Sequence, residues 1–352
     1  MKIIHCSDVH LDSKLDGVNS LERNNELLST FGKTVDYAKS QDVRLFIIAG
    51  DLFDTSRVSQ KTKNFIIDLI TQTPELDFLY LKGNHDNLNP FDGEIMPPNF
   101  KPFFNEWTQY TYDDVTITGI ETDDANCVRL YDQLSLDPTK QNIVVMHGAV
   151  SSALDSQSVN IDLLKNKNID YLALGHYHSY LAKPLDLRGI YCYSGCLEGR
   201  GYDEAGEKGF VIIETDPKIK HKLLTGFSHR TIYEIDVDIS SLDTYLKIKN
   251  AVLSAVSQID KRHYVKIRLT GSYNLNTQKD INHLNLDLSS MFYSVKIEDN
   301  TTLAINSEEY MYDVSLKGEF IRNVLKSDLS EKQKEDIINI GIKALRGEEI
   351  VL

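Results

Sequence analysis

Short apolar runs of four to six residues recur through the first two-thirds of the chain. They are Leu45–Ala49, Phe78–Leu81, Val115–Ile120, Ile143–Met146, Tyr171–Leu174 and Phe210–Ile213. Runs of this length predict strands buried on both faces. Between several of them the apolar spacing becomes helical. Leu27, Leu28, Phe31, Val35 and Ala38 form one stripe within Leu21–Lys39, and Phe65, Ile66, Leu69 and Ile70 form another. Strands separated by helices predict an α/β layer architecture. After Val115 the strands crowd together, and Ile190–Tyr193 has an antiparallel look. The expectation is a mixed sheet or two packed sheets.

The pattern changes near Ser228. Thr231–Asp238 alternates, Leu242–Val256 has a helical period, and Tyr264–Leu269 and Phe292–Ile297 alternate again. This predicts a small α+β domain over 230–305, after a main domain over 1–229. A helical segment, 306–352, closes the chain. Its first helix spans Leu316–Lys326. Its second starts at Ser330, where Ser330 and Gln333 have the spacing of a capping box, and Gly347 is its expected C-terminal cap. No apolar run approaches the roughly 18 residues of a membrane span.

Composition narrows the partners. The net charge of −14 excludes bulk attraction to nucleic acid or anionic lipid, so any DNA surface must be a local patch or belong to a partner. Four scattered cysteines fit a reducing compartment, and the strand-like opening Lys2–His5 leaves no room for a signal peptide. The expected location is cytoplasmic.

Five polar clusters follow apolar runs: Asp8-Val9-His10, Gly50-Asp51-Leu52-Phe53-Asp54, Gly83-Asn84-His85-Asp86, Met146-His147-Gly148 and Gly175-His176-Tyr177-His178. Strand ends are where α/β folds gather functional side chains. Asp8, His10, Asp51, Asn84, His147, His176 and His178 offer carboxylate, imidazole and amide donors, the chemistry of a divalent-metal site without thiolate. Seven ligands are too many for one tetrahedral ion. A bridging Asp51 would give each of two ions four contacts, and two ions can clamp a phosphate and activate a water. His85, left over, would sit at the rim and stabilise phosphate charge or protonate the leaving oxygen, oriented by Asp86 or Asp54.

These clusters resemble the calcineurin-like metallophosphoesterase superfamily, and within it SbcD-type DNA repair exonucleases, including the YhaO-like branch. His5-Cys6-Ser7-Asp8-Val9-His10-Leu11-Asp12-Ser13, Gly50–Asp54 and Gly195-Cys196-Leu197-Glu198-Gly199-Arg200-Gly201 carry the closer match. It is dense over 1–215, weaker over 315–347 and thin over 230–305. The resemblance implies two packed mixed β-sheets flanked by helices; in the leading reading, the small α+β domain over 230–305 would be a cap that guides the strand. It implies one ion on Asp8, His10, Asp51 and His178, another on Asp51, Asn84, His147 and His176, and His85 as the catalytic histidine. It further implies manganese, DNA as substrate, an SMC-like ATPase subunit as partner, and a homodimer. Some relatives carry histidine at the position of Asp54, where it affects strand handling, so the exonuclease–endonuclease balance is open.

Other features read two ways. Arg200 and Tyr202, in the glycine-rich stretch 195–209, would meet a phosphate backbone or form a solvated turn. Arg57, with Lys61 and Lys63, would face DNA or line a solvated helix. The C-terminal helices would dock on a partner's coiled coil or cover their own core. Cys192 and Cys196 are expected as plain thiols, not a zinc site. The leading reading is a two-metal DNA phosphodiesterase. The alternatives are a phosphatase or phosphodiesterase for a small nucleotide, which the acidic charge suits, and an inactive scaffold subunit, which the complete ligand set opposes.

Overall fold

The computed structural model describes residues 1–15, 19–54, 57–86, 90–274, 277–304 and 310–345. It divides into two units, Met1–Ile232 and Tyr233–Leu352. The expected cap at Gly347 lies outside the described residues.

The first unit holds two six-stranded sheets. In the first, Lys2–Cys6, Leu45–Ala49, Asp77–Leu81 and Phe100–Pro102 run parallel, and Gly209–Glu214 and Lys220–Thr225 extend it antiparallel. In the second, Val115–Gly119, Gln141–His147, Tyr171–Gly175 and Ile190–Tyr193 run parallel, with Thr108–Tyr112 and Leu181–Pro184 as antiparallel edges. Both sheets are mixed, as expected.

Side chains alternate across each strand, so one strand serves two cores. Ile3, Leu45, Ile47 and Ala49 meet Ile117, Ile143, Val145 and Ala173 between the sheets. Ile4, Phe46 and Ile48 point outward, against Leu27, Phe31 and Val35 of the helix Ser20–Ser40 and Ile66 and Ile70 of the helix Gln60–Thr71. Asn19 and Ser59 cap these helices by accepting from the N–H of Glu22 and Thr62. Val144, Met146, Leu172 and Leu174 bury the outer face of the second sheet with Leu130, Tyr131 and Leu164. Because the central strands run parallel within each sheet, each sheet gathers their carboxyl ends at one edge.

The second unit contains a three-stranded sheet, Ile232–Asp238, Tyr264–Thr270 and Ser294–Asp299, with the helices Tyr245–Val256 and Ile281–Ser289. Ile248, Val252, Val265, Ile267, Leu284 and Leu288 form its core. The helices Leu316–Leu325 and Glu331–Leu345 pack through Ile321, Ile338 and Ile342. The capping box forms: Ser330 N–H donates to Gln333 Oε1 at 3.0 Å, and Gln333 N–H donates to Ser330 Oγ at 3.4 Å. Leu316 and Ile340 remain exposed, so the apolar stripes of this pair exceed what its own core uses.

Candidate metal centre

Five chain crossings end in the polar clusters. Asp8 and His10 follow Lys2–Cys6, Asp51 follows Leu45–Ala49, Asn84 and His85 follow Asp77–Leu81, His147 ends Gln141–His147, and His176 and His178 follow Tyr171–Gly175. The backbone turns sharply there. Asp8, His10, Asp51 and His176 have φ of 52°, 51°, 52° and 103°. Such conformations cost of order 1–3 kcal/mol each in a non-glycine residue and mark sites where geometry is held for function. Two glycines make room. A Cβ on Gly50 would collide with the His147 imidazole, and one on Gly83 would collide with the Asp51 carboxylate.

The donors form two groups that share Asp51. On one side His10 Nε2 lies 3.2 Å from His178 Nε2, which lies 3.8 Å from Asp8 Oδ1. On the other, Asn84 Oδ1 lies 2.9 Å from His147 Nε2 and 3.2 Å from His176 Nδ1. Asp51 Oδ2 lies between, 3.8 Å from His10 Nε2 and 3.4 Å from His147 Nε2. Asp8, His10 and Asp51 are buried, so these charges and lone pairs have lost most of their water.

Protons on the outer ring nitrogens decide what this arrangement fits. His10 Nδ1 is 2.9 Å from Asp54 Oδ1, and His178 Nδ1 is 2.7 Å from Glu204 Oε1. Ionised carboxylates only accept, so a neutral His178 keeps its proton on Nδ1 and offers its Nε2 lone pair, and Asp54 beside Nδ1 favours the same tautomer of His10. With both rings neutral, the two Nε2 lone pairs face each other across 3.2 Å. His147 repeats the pattern, with Nδ1 3.0 Å from the Ala49 carbonyl and Nε2 facing Asn84 and Asp51 oxygens. Acceptors facing acceptors repel, and a cation between them reverses the sign. The residues therefore fit divalent cations in both groups. Protons feel the same field. Burial disfavours a charged His147, yet the hydrogen bond and charge of Asp51 outweigh it and push His147 up to about 9. Burial alone would raise Asp51, but His147, His10 and the His85 N–H hold it well below the carboxylate range.

His85 is half-exposed beside this cluster. Its Nδ1 lies 3.3 Å from Asp54 Oδ1, and its N–H donates to Asp51 Oδ1 at 2.8 Å. Asp54 is thus the carboxylate beside His85. Asp86 is buried and accepts the N–H groups of Leu52, Phe53 and Gly83 at 3.1, 2.9 and 3.2 Å, tying two of the loops together. Burial and the charge of Asp51 push Asp86 up to about 7.

Arg200 reaches the cluster's edge, 3.1 Å from Asp54 Oδ1 and 3.0 Å from Glu204 Oε1. Tyr202 is half-buried in the loop before Gly209–Glu214, and Arg57 is exposed on the loop before Gln60–Thr71. Sequence reasoning missed Glu204 and Lys208. Glu204 fixes His178, and Lys208 Nζ donates to the His178 carbonyl at 3.0 Å. Neither ends an apolar run, so no local pattern marks them. The four cysteines are free and buried.

Residues 1–180 match the family model of calcineurin-like phosphoesterases. The chain is 26% identical, over an alignment of 395 positions, to the SbcD subunit of the SbcCD nuclease of Staphylococcus saprophyticus, covering 99% of this chain and 94% of that one. Among solved structures it is similar to TT1561 of Thermus thermophilus, at 12% identity and a TM-score of 0.42, over 63% of this chain and 98% of that one. It is also similar to a dimetal phosphatase from Danio rerio, at 11% identity and a TM-score of 0.44, over 64% and 96%. Among the described residues, no helix is long and apolar enough to cross a membrane. With the family match covering half the chain and a donor set suited to divalent cations, the chain belongs to the calcineurin-like phosphoesterases and is a metal-dependent phosphoesterase.

Proposed function

We propose that this chain is a two-metal phosphodiesterase that hydrolyses DNA, working as the nuclease subunit beside an SMC-like ATPase. The position of Asp51 carries the reading: one carboxylate reaches both donor groups. Asp8, His10, Asp51 and His178 would hold one ion, and Asp51, Asn84, His147 and His176 the other. The resemblance implies manganese, and the carboxylate and amide oxygens suit it. Bound divalent ions supply Lewis acidity at phosphate oxygens.

The chain's own residues do the rest. Asp54 Oδ1, 3.3 Å from His85 Nδ1, would accept the Nδ1 proton and leave Nε2 to act. A protonated His85 would then donate to the leaving sugar oxygen. Glu204 and Asp54 hold Arg200 at the edge of the cluster, where its charge would meet an incoming phosphate. Arg57 and Tyr202 would contact the strand further out.

DNA and the ATPase are what the resemblance implies; the relative's name states a nuclease subunit, and its match spans both units of this chain. The apolar side chains left exposed on the C-terminal helices suit a coiled-coil partner. A partner's DNA affinity would also offset the net charge of −14. That charge favours a second reading, hydrolysis of a small nucleotide.

The test is hydrolysis by the purified chain with manganese. Linear DNA, bis-p-nitrophenyl phosphate and a small-nucleotide panel are compared, with Asp51→Ala as the blank. DNA cleavage that disappears in the blank supports the proposal. Turnover confined to small esters, with the ATPase subunit added, overturns it in favour of the second reading.

A further inference from the structure

A cleft of about 530 Å³ adjoins the metal centre and shares Asn84 and His147 with it. Lys82, Phe104, Glu121 and Gln157 complete much of its wall. The volume lies within the range of small-ligand sites. We propose that this cleft is a nucleoside subsite, which holds the terminal nucleoside of the substrate while its phosphate lies at the metal centre. The proposal rests on the phosphodiester reading above and adds the residue that recognises the base.

Phe104 is that residue. Its neighbour Phe103 is buried, but Phe104 is 55% exposed in the cleft wall. Its backbone is held firmly. The Glu121 N–H donates to the Phe104 carbonyl at 2.7 Å, and the Phe103 N–H donates to the Tyr80 carbonyl at 2.8 Å. Buried Asn126 ties the two sides of the wall, donating to the carbonyls of Asn105 and Glu121 at 2.9 and 2.8 Å. An aromatic side chain on a backbone held in this way can stack on a base with only its own rotamer left to order.

The wall also has hydrogen-bonding capacity to spare. Gln157, in the wall, offers a donor and an acceptor. Charge then selects what enters. Glu121, Asp123 and Asp124 face the cleft against Lys82, whose ammonium pairs with Glu121 at 2.8 Å. With Asp86, four carboxyl groups line the cleft against one ammonium, and this balance disfavours a further phosphate. The cleft thus accepts an uncharged nucleoside at a strand end and opposes a strand that continues through it.

The test pairs two esters with the same leaving group, thymidine 5′-(p-nitrophenyl phosphate) and methyl p-nitrophenyl phosphate, on wild type, Phe104→Ala and Phe104→Trp. Calorimetric binding of dTMP with manganese is measured in parallel. Loss of one base–aromatic stack should raise the Phe104→Ala KM for the thymidine ester, and its Kd for dTMP, roughly 5- to 150-fold. The methyl ester should be unaffected, and Phe104→Trp should retain nucleoside binding. An unchanged KM and Kd in Phe104→Ala, or an equal loss on both esters, overturns the subsite. If wild type hydrolyses neither ester, the phosphodiester reading fails, and the dTMP comparison alone decides the subsite.

Discussion

Replacing Glu204 by glutamine should separate the two proposed metal positions. Glu204 Oε1 accepts from His178 Nδ1 at 2.7 Å and from Arg200 Nη2 at 3.0 Å, and Oε2 accepts the Arg200 N–H at 2.7 Å. Glutamine keeps the size and one acceptor but removes the charge. Arg200 Nη2 lies 3.5 Å from His178 Nδ1, so its charge would then act on the imidazole with Asp54 and Asp8, but no longer Glu204, to offset it. A less basic, less firmly oriented His178 should weaken the ion it holds. Outer-sphere carboxylates of this kind are worth about 10- to 100-fold in metal affinity. Asn84, His147 and His176 are oriented by one another and by the Ala49 carbonyl, without Glu204, so the second ion should bind as in wild type. Two-site calorimetric titration with manganese reads both affinities, and circular dichroism controls for folding. Unchanged affinity at both sites, or equal loss at both, would refute the argument.

Three further outcomes follow from named groups. His85→Gln should keep both metal affinities and lose about 10²- to 10⁴-fold in kcat, as expected for a proton donor; wild-type turnover would remove His85 from the chemistry. His5 is fully buried beside Tyr171, and burial lowers its pKa to about 3. The unfolded chain, with His5 near its ordinary 6.5, therefore binds more protons between these values, and stability falls as pH drops below 6.5. His5→Asn should remove up to about 1.4 kcal/mol per pH unit of that dependence in urea unfolding, and parallel pH profiles would contradict it. Arg23, fully buried, pairs with Glu26 and Glu198 and donates to the Gly199 carbonyl at 2.6 Å. Arg23→Met leaves Glu198 charged without its guanidinium and should cost about 3–5 kcal/mol in the same assay; a change near zero would show the network carries no stability.

The central strands were legible because a strand covered on both faces must be apolar throughout, as in Leu45–Ala49 and Tyr171–Gly175. Their carboxyl ends were legible for the same reason, since a polar cluster stands out after such a run. Edge strands leave no such mark. Thr108–Tyr112 and Lys220–Thr225 are half-exposed and mostly polar, and hydrogen bonding to a neighbour makes them strands. The helix Ile281–Ser289 is rich in Asn and Asp, which favour other local conformations, yet Leu284 and Leu288 anchor it in the core. In the candidate site, residue types marked candidate donors, and the fold brings them together. Which carboxylate orients His85 was open between Asp54 and Asp86, and tertiary placement beside His85 distinguishes Asp54. Glu204 comes from a loop whose importance depends on where the fold buries it.

The central claim is that Asp51 is shared by two ions. Anomalous scattering from crystals grown with manganese tests it most directly. The account predicts two peaks about 3.5–4 Å apart, one on each side of Asp51 Oδ2. A single peak, or two peaks that do not both contact Asp51, would contradict it.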